Sequence, residues 1–152
     1  MPGLGVRAVQ FLAVVLTALA LVPAGAHLAA LPGKIDLPQE AYFTVQAIYL
    51  GWSLFGFALI GALLANLGLA LIPWRQRWPC RFALAGFALI ALTLAIFFIW
   101  IYPANQGTAN WTVAPDDWQT LRRHWEYAHA ANAGLTFLAF CSIVVATLRT
   151  RA

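Results

Sequence analysis

Charge is what this chain lacks most. Lysine, arginine, aspartate and glutamate make up 9% of its 152 residues, against roughly 25% in a soluble domain. With 62% hydrophobic residues, the composition belongs to a membrane protein. Cysteine is scarce too. Cys80 lies in a basic loop and Cys141 in an apolar run, and no C-x-x-C occurs. That excludes the quinone-linked disulfide oxidoreductases, small four-helix membrane proteins whose chemistry needs paired thiols, and no disulfide is expected. Besides Glu126 the only glutamate is Glu40, near a loop, so a carboxylate-bridged di-iron site has too few ligands. The basic residues are few and sit at the ends of apolar runs, which argues for membrane orientation and against a nucleic-acid partner. No internal repeat or low-complexity segment is visible.

What the chain has in abundance is long apolar runs. Four of them, about 9–31, 42–72, 81–102 and 127–148, are each long enough for a span of about 20 residues. The first offers Ala24-Gly25-Ala26 as a signal-cleavage site, but its apolar part is long for a leader, so it reads as a retained helix bent near Pro23. Leu31 to Pro38, with two prolines and a glycine, reads as a loop. The second run is long for one span and should tilt or project beyond the hydrocarbon. The steps of five between Gly51, Gly56 and Gly61 do not keep one helix face, so they are no dimerisation motif. After the third run, a polar loop carries a glycosylation-type Asn110-Trp111-Thr112, and Asp116 or Asp117 to cap a short helix leading into the fourth.

Arg7, Arg75, Arg77, Arg81, Arg149 and Arg151 fall at one side of the membrane. Lys34, Arg122, Arg123 and all the acidic residues fall at the other. The positive-inside rule makes the first side cytoplasmic. The expected fold is all-α: one domain, residues 1–152, an integral membrane four-helix up-down-up-down bundle with both termini cytoplasmic.

Polar side chains then converge at one depth. Arg122, Glu126, His129, Asn132 and Thr136 follow at helical steps of four and three, and Tyr42, Gln46, Tyr49 and Ser53 stack likewise. With His27, Tyr102 and Asn105, all four spans bring polar groups to the outer third of the bilayer, while the inner two-thirds is nearly aliphatic. Many of these fit structural roles: Trp111, Trp118, Trp125, Tyr42 and Tyr102 as an aromatic belt, Arg122–Glu126 as a helix-surface pair, Gln46 and Asn132 as interhelical glue. His124 sits off the stripe. Two imidazoles at membrane depth, His27 and His129, point to function instead.

Several chemistries stay open. Glu126, three residues before His129, can orient the imidazole as a general base, with His27 as a second base or donor. Gln46, Tyr49 and Asn105 can stabilise an oxyanion. Alternatively His27, Glu126 and His129 supply two histidines and a carboxylate for a mononuclear metal, or a haem sits between the two histidines. The chain would then be a membrane redox component. A third reading is a structural accessory subunit of a larger membrane complex.

Gly25-Ala26-His27-Leu28, Leu31-Pro32-Gly33-Lys34-Ile35, Gln46-Ala47-Ile48-Tyr49-Leu50-Gly51-Trp52, Pro103-Ala104-Asn105 and above all Trp118 through His129 resemble the anthrone oxygenase-like family of small four-helix membrane proteins, a domain of unknown function. The resemblance implies a cofactor-independent monooxygenase. His27, or His129 oriented by Glu126, would remove a proton from an anthrone-like or quinone-like apolar aromatic, and Asn105 or Gln46 would bind the oxyanion. The candidate substrate-binding residues are Gln46, Tyr49, Asn105, Arg122 and Asn132. Expected partners are membrane lipid, that small ligand, and a complex partner or a second copy. The expected location is a bacterial inner (cytoplasmic) membrane, with the site toward the periplasm.

Overall fold

A computed structural model describes residues 3–72 and 77–149. Arg75 and Arg151, which the charge argument placed at the cytoplasmic end, lie outside the described residues. The described residues form helices and turns, with no strand among them. Helix α1 spans Leu4–Lys34, a short α2 spans Gln39–Gln46, α3 spans Phe55–Leu71 and α4 spans Arg77–Ile96. Helix α4 runs through a widened π turn, Phe97–Ile101, into α5, Tyr102–Gly107, and α6 spans Trp118–Leu148. Four helical stretches, Leu4–Lys34, Trp52–Leu71, Arg77–Gly107 and Trp118–Leu148, are long and apolar enough to cross a membrane.

The packing inverts that of a soluble bundle. Small residues face inward: Ala13, Ala20, Ala62, Ala83, Ala133, Ala139 and Ala146 are buried. Large ones such as Phe11, Leu19, Phe57, Leu64, Leu92, Phe98 and Phe137 face out. An exterior of this kind suits lipid, and small residues let backbones approach closely where water supplies no driving force. At Gly61 the approach is tight, since an added Cβ would stand 3.0 Å from Leu16 Cδ1. Helix α1 packs on α3 and α6, and α4 packs on the same two, closing a ring.

Three segments depart from the expected runs. Leu31–Lys34 is the last turn of α1, not a loop, and the helix continues through Pro23 and Pro32. A proline costs a helix one backbone bond; here the continued turn carries Lys34 to a buried carboxylate. The second run is not one tilted helix. It breaks into α2, a 3-10 turn Ala47–Tyr49, Gly51 in the left-handed region at φ 83°, a second 3-10 turn Trp52–Leu54, and α3. The fourth helix needs no separate leading segment, because α6 is continuous from Trp118. It starts after Asp117, whose side chain makes no capping bond.

Candidate functional site

Two imidazoles from different helices meet at the centre of the site. His27 of α1 stacks on His129 of α6, ring centroids 3.9 Å apart and planes 23° from parallel. Aromatic rings enclose them. Tyr49 lies 4.3 Å from His27, Trp125 lies 4.9 Å from His27 and 4.2 Å from His129, and Trp52 meets His27 edge-on at 5.5 Å. The broken second run makes this enclosure: the turns around Gly51 swing Tyr49 and Trp52 over the end of α1, where a straight helix would have carried them past.

Beside the imidazoles lies a buried ionic network. Lys34 Nζ is 3.0 Å from Glu126 Oε1 and donates to the Tyr49 hydroxyl at 2.7 Å. The Tyr42 hydroxyl donates to the same Glu126 oxygen at 2.9 Å. Lys34 and Glu126 are 4% and 1% exposed, so each charge depends on the other for stabilisation. The ammonium also lies 4.6 Å from the Tyr49 ring and 5.0 Å from the Trp125 ring, a cation–π environment that softens its desolvation. Burial, and then the adjacent Glu126 carboxylate, push the Tyr42 phenol above its ordinary range.

Lys34 and Tyr42 were not among the expected site residues. The prolines and glycine of 31–38 predict a loop at Lys34, yet it lies in α1 seven residues after His27, two helical turns on and the same face. That spacing is the signal for Lys34 once the helix runs through Pro32. The sequence marks Tyr42 only as an interfacial aromatic.

Glu126 does not orient His129. No hydrogen bond or ion pair links them, because the carboxylate is turned to Lys34 and Tyr42. Nor does Glu126 pair with Arg122. The Arg122 guanidinium crosses to the α1–α2 turn, where Nη1 donates to the Leu37 carbonyl at 2.7 Å. Asn105 lies beside Trp125, its Oδ1 accepting from the indole N–H groups of Trp125 at 2.9 Å and Trp111 at 3.3 Å. The π turn before Pro103 helps place it there, turning Ala104 inward and leaving Tyr102 exposed and outside the cluster. Asn132 sits deeper and ties α6 to α4 through the Thr93 carbonyl at 3.2 Å. Thr136 is buried and donates to the Asn132 carbonyl. Ser53 and His124 are exposed. A further polar pair lies in the aliphatic zone, where fully buried Asn66 donates to Thr17 at 3.3 Å.

The loop carrying Trp111 is held in a costly shape. Ala109, Asn110 and Trp111 have φ of 46°, 56° and 64°, a left-handed conformation that a bulky residue adopts only under constraint. The constraint is visible. Trp111 N–H donates to Thr108 Oγ1 at 3.0 Å, and its ring meets Tyr42, Phe43 and Trp125.

Several buried polar atoms near the site have no protein partner: His27 Nδ1, Glu126 Oε2, Arg122 Nε and both amide atoms of Gln46. Buried polar atoms are nearly always satisfied; Asn66 Oδ1 and Asn132 Oδ1, deeper in the bundle, are unpartnered as well. Among the described residues no three His, Cys, Asp or Glu side chains form a metal-ligand group. A cleft of about 440 Å³ opens beside α2, lined by Pro38, Glu40, Ala41, Thr44 and Val45 and by neither imidazole. No family model matches this chain, and no curated protein or solved structure matches it.

Proposed function

We propose that this is an integral membrane enzyme that oxygenates an apolar, anthrone-like or quinone-like aromatic without a bound cofactor, as the anthrone oxygenase-like resemblance implies. The observation that carries the reading is His27: an imidazole stacked on a second imidazole from another helix, walled by aromatic rings, with Nδ1 buried and unpartnered. An unpartnered ring nitrogen is available to take a proton.

His27 removes a proton from the acidic ring CH₂ of an anthrone, and the resulting anion reduces O₂. A C–O bond forms, and the peroxide so made loses water. One oxygen atom remains as the new carbonyl and the other leaves as water, so no further reductant is needed. Lys34 and Tyr49 stand beside His27 to stabilise the oxyanion, and His129 supports the base by stacking. Gln46, Asn105 and Arg122 are the remaining candidates for substrate contact, while Asn132 positions α6. A bilayer suits the reaction, because apolar aromatics and O₂ both concentrate in lipid.

The orientation belongs to the same reading. Gly61 and Gly68 face Leu16 and Val9 in reversed order, Gly86 faces Ala139 while Asn132 bonds Thr93, and Lys34 and His27 meet Glu126 and His129. These reversals support an up-down-up-down path. Arg7, Arg77, Arg81 and Arg149 lie at the end away from the site, which supports cytoplasmic termini and a site toward the periplasm of a bacterial inner membrane.

The test is quinone formation from anthrone by protein in nanodiscs, measured against protein-free discs, with O₂ uptake followed in parallel. One O₂ should be consumed per quinone, and His27→Gln should lower the rate by about 100-fold or more, the usual contribution of a general base. A wild-type rate equal to that of empty discs would sink the reading.

A further inference from the structure

Three charged side chains are buried among the described residues: Lys34, Arg122 and Glu126. Lys34 and Glu126 neutralise each other. Arg122 has no such partner. It is 8% exposed, it makes no ion pair with any described carboxylate, and the nearby Asp36, Glu40, Asp116 and Asp117 are all exposed. Its guanidinium lies 4.8 Å from the Trp118 ring and 5.3 Å from the Tyr42 ring, donates once to the Leu37 carbonyl, and keeps Nε buried without a partner. A guanidinium cannot shed its charge by losing a proton. The site therefore carries one uncompensated positive charge in a water-poor place, where an unpaired ion is costly.

We infer that the missing counter-ion belongs to the ligand: the site takes an amphiphile with a single negative charge, anchored on Arg122, its apolar body directed toward Tyr49, Trp125 and the two imidazoles. Tyr42 links the two ends of this path, its ring beneath Arg122 and its hydroxyl on Glu126. Nε offers a free donor to an arriving anion, which also competes with the Leu37 carbonyl for the Nη1 donor. Capture of the anion thus loosens the turn that holds α2 down. The inference rests on the proposed aromatic substrate for the body of the ligand. The anionic group can be a carboxylate or phenolate on that aromatic, or a lipid phosphodiester.

The probes are anthracene-9-carboxylate and neutral anthracene-9-methanol, titrated against wild type, Arg122→Gln, Arg122→Lys and the exposed control Arg123→Gln, with binding read from tryptophan quenching. In phosphatidylcholine nanodiscs wild type and R123Q should bind the carboxylate about tenfold more tightly than the alcohol, the gain from one charge-assisted hydrogen bond. R122Q should lose the preference and R122K should keep part of it. The wild-type comparison requires no variant, so a misfolded R122Q does not spoil the test. Equal affinity for both probes, combined with selective retention of phosphatidylglycerol by wild type and not by R122Q, assigns the anion to lipid. Equal affinity without that retention, or a carboxylate preference that survives in R122Q, overturns the inference. Carboxylate selectivity in a protein that oxidises no anthrone removes the oxygenase reading and leaves the anion site standing.

Discussion

Lys34 and Glu126 hold opposite charges where protein replaces water, and each is stabilised chiefly by the other. Removing one partner of such a pair costs roughly 3 to 5 kcal/mol, because the survivor stays buried. Lys34→Met and Glu126→Gln should each lower the unfolding free energy in detergent by about that amount. The double variant should lose less than the sum, and strict additivity would show that the two charges do not interact. Tyr42 gives a pH dependence of known sign. A phenol held above its ordinary value in the fold is neutral in both states below about pH 10, so its hydrogen bond to Glu126 contributes fully there. As pH rises further the unfolded chain ionises first, and the contribution drains away. Thermal stability should therefore fall above about pH 10, with a smaller fall in Tyr42→Phe. That variant should already be weaker at neutral pH by about 1.5 to 3 kcal/mol, the worth of a bond to a charged group. An identical alkaline loss in both proteins would remove Tyr42 as its cause.

Among the elements, the segment from α2 to α3 decides whether a site exists. Gly51 at φ 83° lets the chain turn so that Tyr49 and Trp52 both reach His27. An alanine there is forced into the left-handed region at a cost of about 1 to 2 kcal/mol. Gly134 lies mid-helix in α6 with open space around it, and alanine there should gain about 0.5 to 1 kcal/mol from lower backbone entropy loss. Denaturation of Gly51→Ala and Gly134→Ala in one detergent should thus give opposite signs, and a neutral or stabilising Gly51→Ala would mean that the turn is not constrained. The π turn before Pro103 works similarly. It absorbs a residue in α4, and the helix beyond it presents Asn105 to Trp125 and Trp111.

For the whole molecule, small residues within and large apolar residues without suit the bundle to lipid. The proposed orientation rests on the asymmetry of polar groups. After Cys80 and Cys141 are replaced by alanine, single cysteines at Asn110 and Arg149 should react differently with an impermeant maleimide. Asn110→Cys should label in intact cells, and Arg149→Cys only after the membrane is opened. The reverse pattern would invert the proposed orientation and place the site at the cytoplasmic face.

Apolar length alone determined that four helices of this chain can cross a membrane, because about 20 residues of hydrocarbon-compatible sequence need no tertiary context to be recognised. Helical spacing likewise put Glu126 and His129 on one face. Only the tertiary structure decided what they touch. Glu126 lay three residues from His129 yet turned to Lys34 across the bundle, because a buried carboxylate gains more from a cation and a phenol than from a neighbour on its own helix. The break at Gly51 and the helical turn through Pro32 were equally hidden. Local signals at glycine and proline state what the backbone tolerates, while the contacts that repay those conformations are tertiary: His27 for the turn at Gly51, and Glu126 for the helical turn that carries Lys34 past Pro32.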